Sequence, residues 1–148
     1  MALLNRSGSE TRSMRAIARQ REKFMHDVKA GDHSITVDEP HESGGDDRGP
    51  SPQELLAAAL ASCTAVTMEM YAQRKGWDTS GLAVDCNYTP AERGCPTKFE
   101  LVFKLPAHLD EEQIERLQVI AAKCPVHRTL DGEVMFHERV ERVELTAK

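Results

Sequence analysis

Four cysteines, Cys63, Cys86, Cys95 and Cys124, are the residues of this 148-residue chain best able to do chemistry. A thiolate is both a nucleophile and a metal ligand, and its pKa decides whether it reacts. Cys63 lies inside GPSPQELLAAALASCTAVTMEMYAQRKGW, residues 49–77, between the hydroxyls of Ser62 and Thr64. A cysteine there can be simple apolar filler, because burial alone raises a thiol pKa and makes the group inert; reactivity requires a nearby cation or strong donors. Cys124 opens CPVH, residues 124–127, a Cys-x2-His pair. Two ligands make half a zinc site, and the spacing of the other cysteines completes none, so no metal is expected. Cys86 and Cys95 stand nine positions apart, around a turn-like stretch.

The element that must position Cys63 is a helix. Ser51 can cap it, Pro52 suits its first position, and Glu54 closes a capping box three residues after the cap. Gly76 stops it after Lys75. Counting by threes and fours from Cys63 puts Leu56, Ala59, Leu60, Val66, Thr67 and Met70 on its face, which is the face expected to be buried. About 25 residues at ~1.5 Å each give nearly 40 Å. A domain of this size is only slightly more than 30 Å across, from a gyration radius near ~15 Å. A long, apolar, small-residue helix of that kind suits sharing between two subunits, and a homodimer is expected. Cys124 sits where Pro125 interrupts a second helix, over 109–124, with Ile114, Leu117 and Ile120 at helical spacing.

Around these helices the alternation of apolar residues predicts strands. Phe24, His26 and Val28, then Ile35 and Val37, form an antiparallel meander between Ser13 and Asp38, with AGDHS as its turn. Leu82 and Val84 begin another strand, Phe99 to Leu105 a further one, and Val134 to Leu145 a last. Strands, long helix, strands, helix and strand make an α+β fold with helices on antiparallel sheet. Residues 1–12 are polar and expected to be flexible. Trp77 is expected to plug the end of the long helix. His26, His33, His41, His108 and His137 are scattered and carry no assigned role.

Composition sets limits. The net charge is −5, with 40% hydrophobic and 29% charged residues, and no Lys/Arg block stands out, which argues against nucleic acid as a partner. Charged residues interrupt every apolar run before about 18 residues, so no membrane span is expected. MALLNRSGSE lacks the basic start and length of a signal peptide, and a cytoplasmic protein is expected. Permanent disulfides are then disfavoured.

The Cys63 stretch together with KCPVHRTL resembles the OsmC/Ohr family, the osmotically inducible and organic-hydroperoxide-resistance proteins, most closely the branch with SPxELL and CPVHRTL signatures. The likeness runs from about Ser13 to the end and implies one OsmC-like domain over 13–148, an intertwined homodimer and a thiol-dependent peroxidase without a cofactor. It assigns the peroxidatic role to Cys63 and the resolving role to Cys124. Organic hydroperoxides would be the substrates and a lipoyl-type dithiol the reductant. The family also carries a glutamate directly after the helix-opening proline, and an arginine that holds the thiolate. This chain has Gln53 at the glutamate position. Arg19, Arg21 and Arg48 are candidates for the arginine, and His127 and Arg128 for lowering a thiol pKa. Gln53 can bond an arginine but not neutralise it. This leaves open an alternative, a redox-sensing or small-ligand-binding member without peroxidase activity.

Overall fold

A computed structural model describes residues 14–144. The flexible segment expected over 1–12 and the last residue of the expected terminal strand, Leu145, lie outside the described residues. The elements in chain order are β1 (Ala16–Glu22), β2 (Met25–Ala30), β3 (His33–Val37), a 3₁₀ turn at His41–Ser43, α1 (Pro52–Lys75), β4 (Ala83–Thr89), β5 (Lys98–Lys104), α2 (Glu111–Ala121) and α3 (Pro125–Leu130). By contacts the chain divides into two compact units. One holds the residues up to Ala59 with Cys86–Glu100, and the other Leu60–Asp85 with the residues from Leu101 onward.

In the first unit β1, β2 and β3 form an antiparallel meander. Val28 faces Ile35 across β2 and β3, as the alternation predicts. Phe24 falls in the β1–β2 turn and is exposed, and Met25 is the buried residue beside it. The loop after β3 is organised by one carboxylate. Asp38 is buried and accepts hydrogen bonds from the backbone N–H groups of Glu39 (2.8 Å), Arg48 (3.1 Å) and Asp46 (3.3 Å). Burial alone would push its pKa up, but these donors hold it below the usual carboxylate value. Gly49 passes so close to β3 that a Cβ on it would collide with the Thr36 carbonyl, so only glycine fits.

This loop delivers the chain to the start of α1. Ser51 Oγ accepts from Glu54 N at 3.2 Å while Glu54 Oε2 accepts from Ser51 N at 2.7 Å, the capping box expected from the sequence. At the other end Gly76 has φ 71°, and its N–H and that of Trp77 bond back to Gln73 O and Ala72 O. That is a Schellman stop, which glycine allows without strain.

The core of the second unit gathers Met68 and Ala72 of α1 with Leu109, Leu117 and Ala121; Trp77, Val84, Phe103 and Ile114 pack around it. Trp77 thus covers the end of α1 as expected. The Asp110 side chain and Gln113 form a second capping box at the start of α2.

Further expectations differ from what is found. The buried stripe of α1 is Leu60, Thr64, Met68 and Ala72, one position round from the face counted through Cys63. Leu56, Val66 and Met70 of that counted face are 37%, 50% and 60% exposed. The helix is apolar on more than one side, so periodicity does not select which side turns inward. Second, Pro125 does not merely end a helix: α2 stops at Ala121, and α3 begins after Cys124. Third, residues 134–144 have no strand partner and carry no regular structure, with Phe136, Val140 and Val143 at least 77% exposed. By length and composition α1 could cross a membrane, contrary to the expectation from its charges, although the same test passes core helices.

Leu117→Ala removes a side chain with no exposure from this core. It should lower unfolding stability by about 2–5 kcal/mol, whereas the exposed Gln118→Ala should stay within about 0.5 kcal/mol. Guanidinium midpoints of the two variants against the parent measure the difference, and equal midpoints would refute the core placement.

Candidate functional site

Both halves of the site come from the second unit. Thr64, fully buried in the inward stripe of α1, fixes the rotation of that helix and leaves its neighbour Cys63 half-buried at the edge of the stripe. Cys124 arrives by a different route. After α2, the N–H groups of Lys123 and Cys124 bond back to Ile120 O and Ala121 O, and the chain then turns extended at Cys124 (φ −58°, ψ 136°). Pro125 occupies the first helical position of α3, where its missing N–H costs nothing. The Cys124 sulfur takes the place usually held by a serine or aspartate oxygen and caps α3, accepting from His127 N at 3.3 Å.

Each sulfur lies near enough to act on the acidity of the other, and both are free thiols. Cys124 is wholly buried and Cys63 is partly open. The Val126 N–H points at both. The Thr64 hydroxyl lies 2.8 Å from Leu60 O and 3.7 Å from Cys124 Sγ. A hydroxyl has a single proton, so it donates to the carbonyl when Cys124 carries its own proton and can turn to the sulfur when Cys124 is ionised.

These surroundings separate the two acidities. Burial pushes both thiols up. On Cys124 the His127 N–H, the Cys63 thiol, the Thr64 hydroxyl and the Val126 N–H together overcome burial, and its pKa falls below the ordinary thiol value. On Cys63 the Val126 N–H and the Thr67 hydroxyl do not overcome burial and the neighbouring Cys124, and its pKa rises. The surroundings thus favour the charged form on Cys124 and disfavour it on Cys63.

The remaining sequence candidates lie elsewhere or act differently from expectation. The groups acting most on Cys63 include no cation. Arg21 of β1 is paired with Asp27, its Nε donating at 3.0 Å. Arg48 is exposed and acts on Asp38, and Arg19 lies on β1 opposite Asp27. His127 reaches Cys124 through its main chain and not its ring, and Arg128 is exposed, with its N–H on Cys124 O. Gln53 lies exposed in the first turn of α1 and lines a cavity of about 360 Å³ with Cys86 and Tyr88. Cys86 is pushed up by burial alone, and Cys95 is exposed in a small bridge with Glu92. Among the described residues no group of three His, Cys, Asp or Glu side chains could hold a metal.

Sequence reasoning gave no role to Thr64, Thr67 or Val126. Val126 acts through a backbone N–H that no side-chain pattern reveals. Thr64 carried a usable signal, a hydroxyl one position from a cysteine inside an apolar helix, where it must find a buried partner. Replacing it by valine removes a donor to the Cys124 thiolate while keeping the volume. In a Cys86→Ser, Cys95→Ser background, Thr64→Val should move the first rise of thiolate absorbance at 240 nm to higher pH. An unmoved midpoint would mean that Thr64 does not act on the sulfur.

Comparison with known proteins gives one family and one fold. The family described as OsmC-like protein matches residues 44–138, more than half of the chain. No curated protein matches the sequence. Among solved structures, an OsmC-like protein from Mycoplasma pneumoniae is 20% identical with TM-score 0.69, over 82% of this chain and 89% of that one. An organic hydroperoxide resistance protein from Elizabethkingia anophelis is 22% identical with TM-score 0.65, over 82% and 90%. The organic hydroperoxide resistance protein OsmC from Legionella pneumophila is 19% identical with TM-score 0.62, over 84% and 93%. At these identities the structural likeness speaks for the fold.

Proposed function

Starting from the OsmC-like family, to which this chain belongs, we propose that it reduces organic hydroperoxides with Cys63 and Cys124 as its redox pair. The observation that carries the reading is the nearness of two free sulfurs that act on each other's acidity in opposite directions, the one pulled down buried and the other partly open. The names of the hydroperoxide-resistance relatives agree with it.

The chemistry follows from that arrangement. The Cys124 thiolate takes the proton of Cys63, and the freed Cys63 thiolate attacks one oxygen of ROOH. The O–O bond breaks, ROH leaves after gaining a proton, and Cys63 becomes a sulfenic acid. Cys124 then attacks the Cys63 sulfur, hydroxide leaves as water after protonation, and the disulfide forms. In total two thiols and ROOH give a disulfide, ROH and water. A dithiol of lipoyl type returns the pair to thiols by exchange through a mixed disulfide. Alkyl or lipid hydroperoxides would be preferred over hydrogen peroxide to the extent that their tails are buried on binding, since each buried methylene adds about 0.8 kcal/mol.

The reading includes a homodimer and a cytoplasmic setting. Leu56, Val66 and Met70 leave one side of α1 uncovered, and Phe136, Val140 and Val143 do the same along the C-terminal segment; a second copy would cover such surface. No arginine is among the groups acting most on Cys63, so the family arginine would have to reach it through a rearrangement or from that second copy. Gln53 at the family glutamate position motivates the alternative of an oxidant sensor that reacts but does not turn over.

Turnover separates the two. With dihydrolipoamide in excess, wild-type protein should consume cumene hydroperoxide catalytically. Cys63→Ser should lose at least about a hundredfold in rate, the scale on which loss of a catalytic nucleophile is felt. Cys124→Ser should react once and stall. A wild type no faster than Cys63→Ser would defeat the enzyme reading, and a single turnover in wild type would favour the sensor.

A further inference from the structure

A second cluster lies in the same unit, where the end of α1 meets α2, and the redox pair makes no use of it. Three cations surround one phenol. Lys75 Nζ lies 5.6 Å from the centroid of the Tyr71 ring, Arg116 Cζ 5.5 Å and Arg74 Cζ 6.0 Å. Arg116 Nε donates to Tyr71 Oη at 2.8 Å, which leaves the two terminal nitrogens of that guanidinium for another acceptor. Trp77 meets Tyr71 edge-on at 5.7 Å. Beside them is a cavity of about 480 Å³ lined by Tyr71, Lys75, Trp77, Glu112, Glu115, Arg116 and Val119.

Charge and shape narrow what would fill it. Among the described residues no ion pair joins Lys75, Arg74 or Arg116 to a carboxylate. Lys75 and Arg116 line the cavity together with Glu112 and Glu115, and Arg74 stands outside that lining, over the Tyr71 ring, so the carboxylates there oppose more than one added negative charge. The walls are partly apolar: the Trp77 ring is half-buried, and Val119, on α2, is 52% exposed. A phosphate dianion meets the wrong charge balance, and an uncharged apolar molecule leaves the cations unanswered. The hydrogen bond from Arg116, with the charges of Arg116, Lys75 and Arg74, already holds the Tyr71 phenol below its ordinary pKa, so the field there favours an anion.

We propose that this cavity is a binding site for a small organic monocarboxylate, its head group held by Lys75 and the free end of Arg116 and its apolar part against Trp77 and Val119. Arg116 is suited to the head group because its planar fork matches a carboxylate in a way that an ammonium does not. The site is independent of the thiol pair and of the function proposed for it.

Trp77 is the only tryptophan of the chain, so its fluorescence reports on this cavity. The full-length protein is titrated with sodium octanoate, and with octylamine hydrochloride and sodium phosphate at matched ionic strength. Octanoate should give a saturable change with a dissociation constant on the order of 1 mM or tighter. Arg116→Gln and Lys75→Gln should each weaken it at least about tenfold. Both side chains are exposed, and circular dichroism and thermal midpoints confirm that the variants fold. Octylamine binding as tightly as octanoate, phosphate competing with it at equal concentration, unchanged affinity in folded variants, or no saturation by about 10 mM would overturn the proposal.

Discussion

Two sulfurs share the Val126 N–H at the start of a six-residue helix, and the chemistry open to this protein depends on that sharing. A lone buried thiol is inert because its charged form loses water and gains nothing. Here the loss on Cys124 is offset by main-chain donors that α3 leaves unpaired, by a hydroxyl from α1 and by the other thiol. The arrangement needs no cation in contact with either sulfur. It makes the buried cysteine the acid of the pair and the open cysteine the one that an incoming molecule can meet.

The fold serves that contact through two fixed rotations. Thr64 lies in the same buried stripe as Met68 and Ala72, so the packing of those residues on Leu109, Leu117 and Ala121 sets the angle of α1. On the other side, Leu117, Ile120 and Ala121 bury α2, and the short connection from Ala121 to Pro125 leaves Cys124 little freedom. A sulfur acting as a helix cap is held in direction as well as place. The positions of both thiols therefore follow from apolar burial.

Much of this was readable in the residues. Ser51, Glu54 and Gly76 fixed both ends of α1 because caps and stops are local chemistry. Val28, Ile35 and Phe103 marked strands because alternation is local too. The direction in which α1 faces was not readable, since Leu56, Leu60, Val66 and Met68 surround the helix and tertiary packing alone chooses among them. Nor was the meeting of Cys63 with Cys124, 61 positions apart, which only the family resemblance suggested. The role of Val126 was hidden because it is a backbone N–H. Residues 134–144 alternate as a strand would, but alternation does not supply a partner, and within the described residues they have none.

The central claim is that Cys63 and Cys124 form one redox unit. Peptide mapping by mass spectrometry after one equivalent of cumene hydroperoxide, with free thiols blocked at the end, tests it most directly. The account predicts a Cys63–Cys124 disulfide with Cys86 and Cys95 still free. A bridge to Cys86 or Cys95, or Cys63 oxidised to sulfinic acid beside an unreacted Cys124, would contradict it.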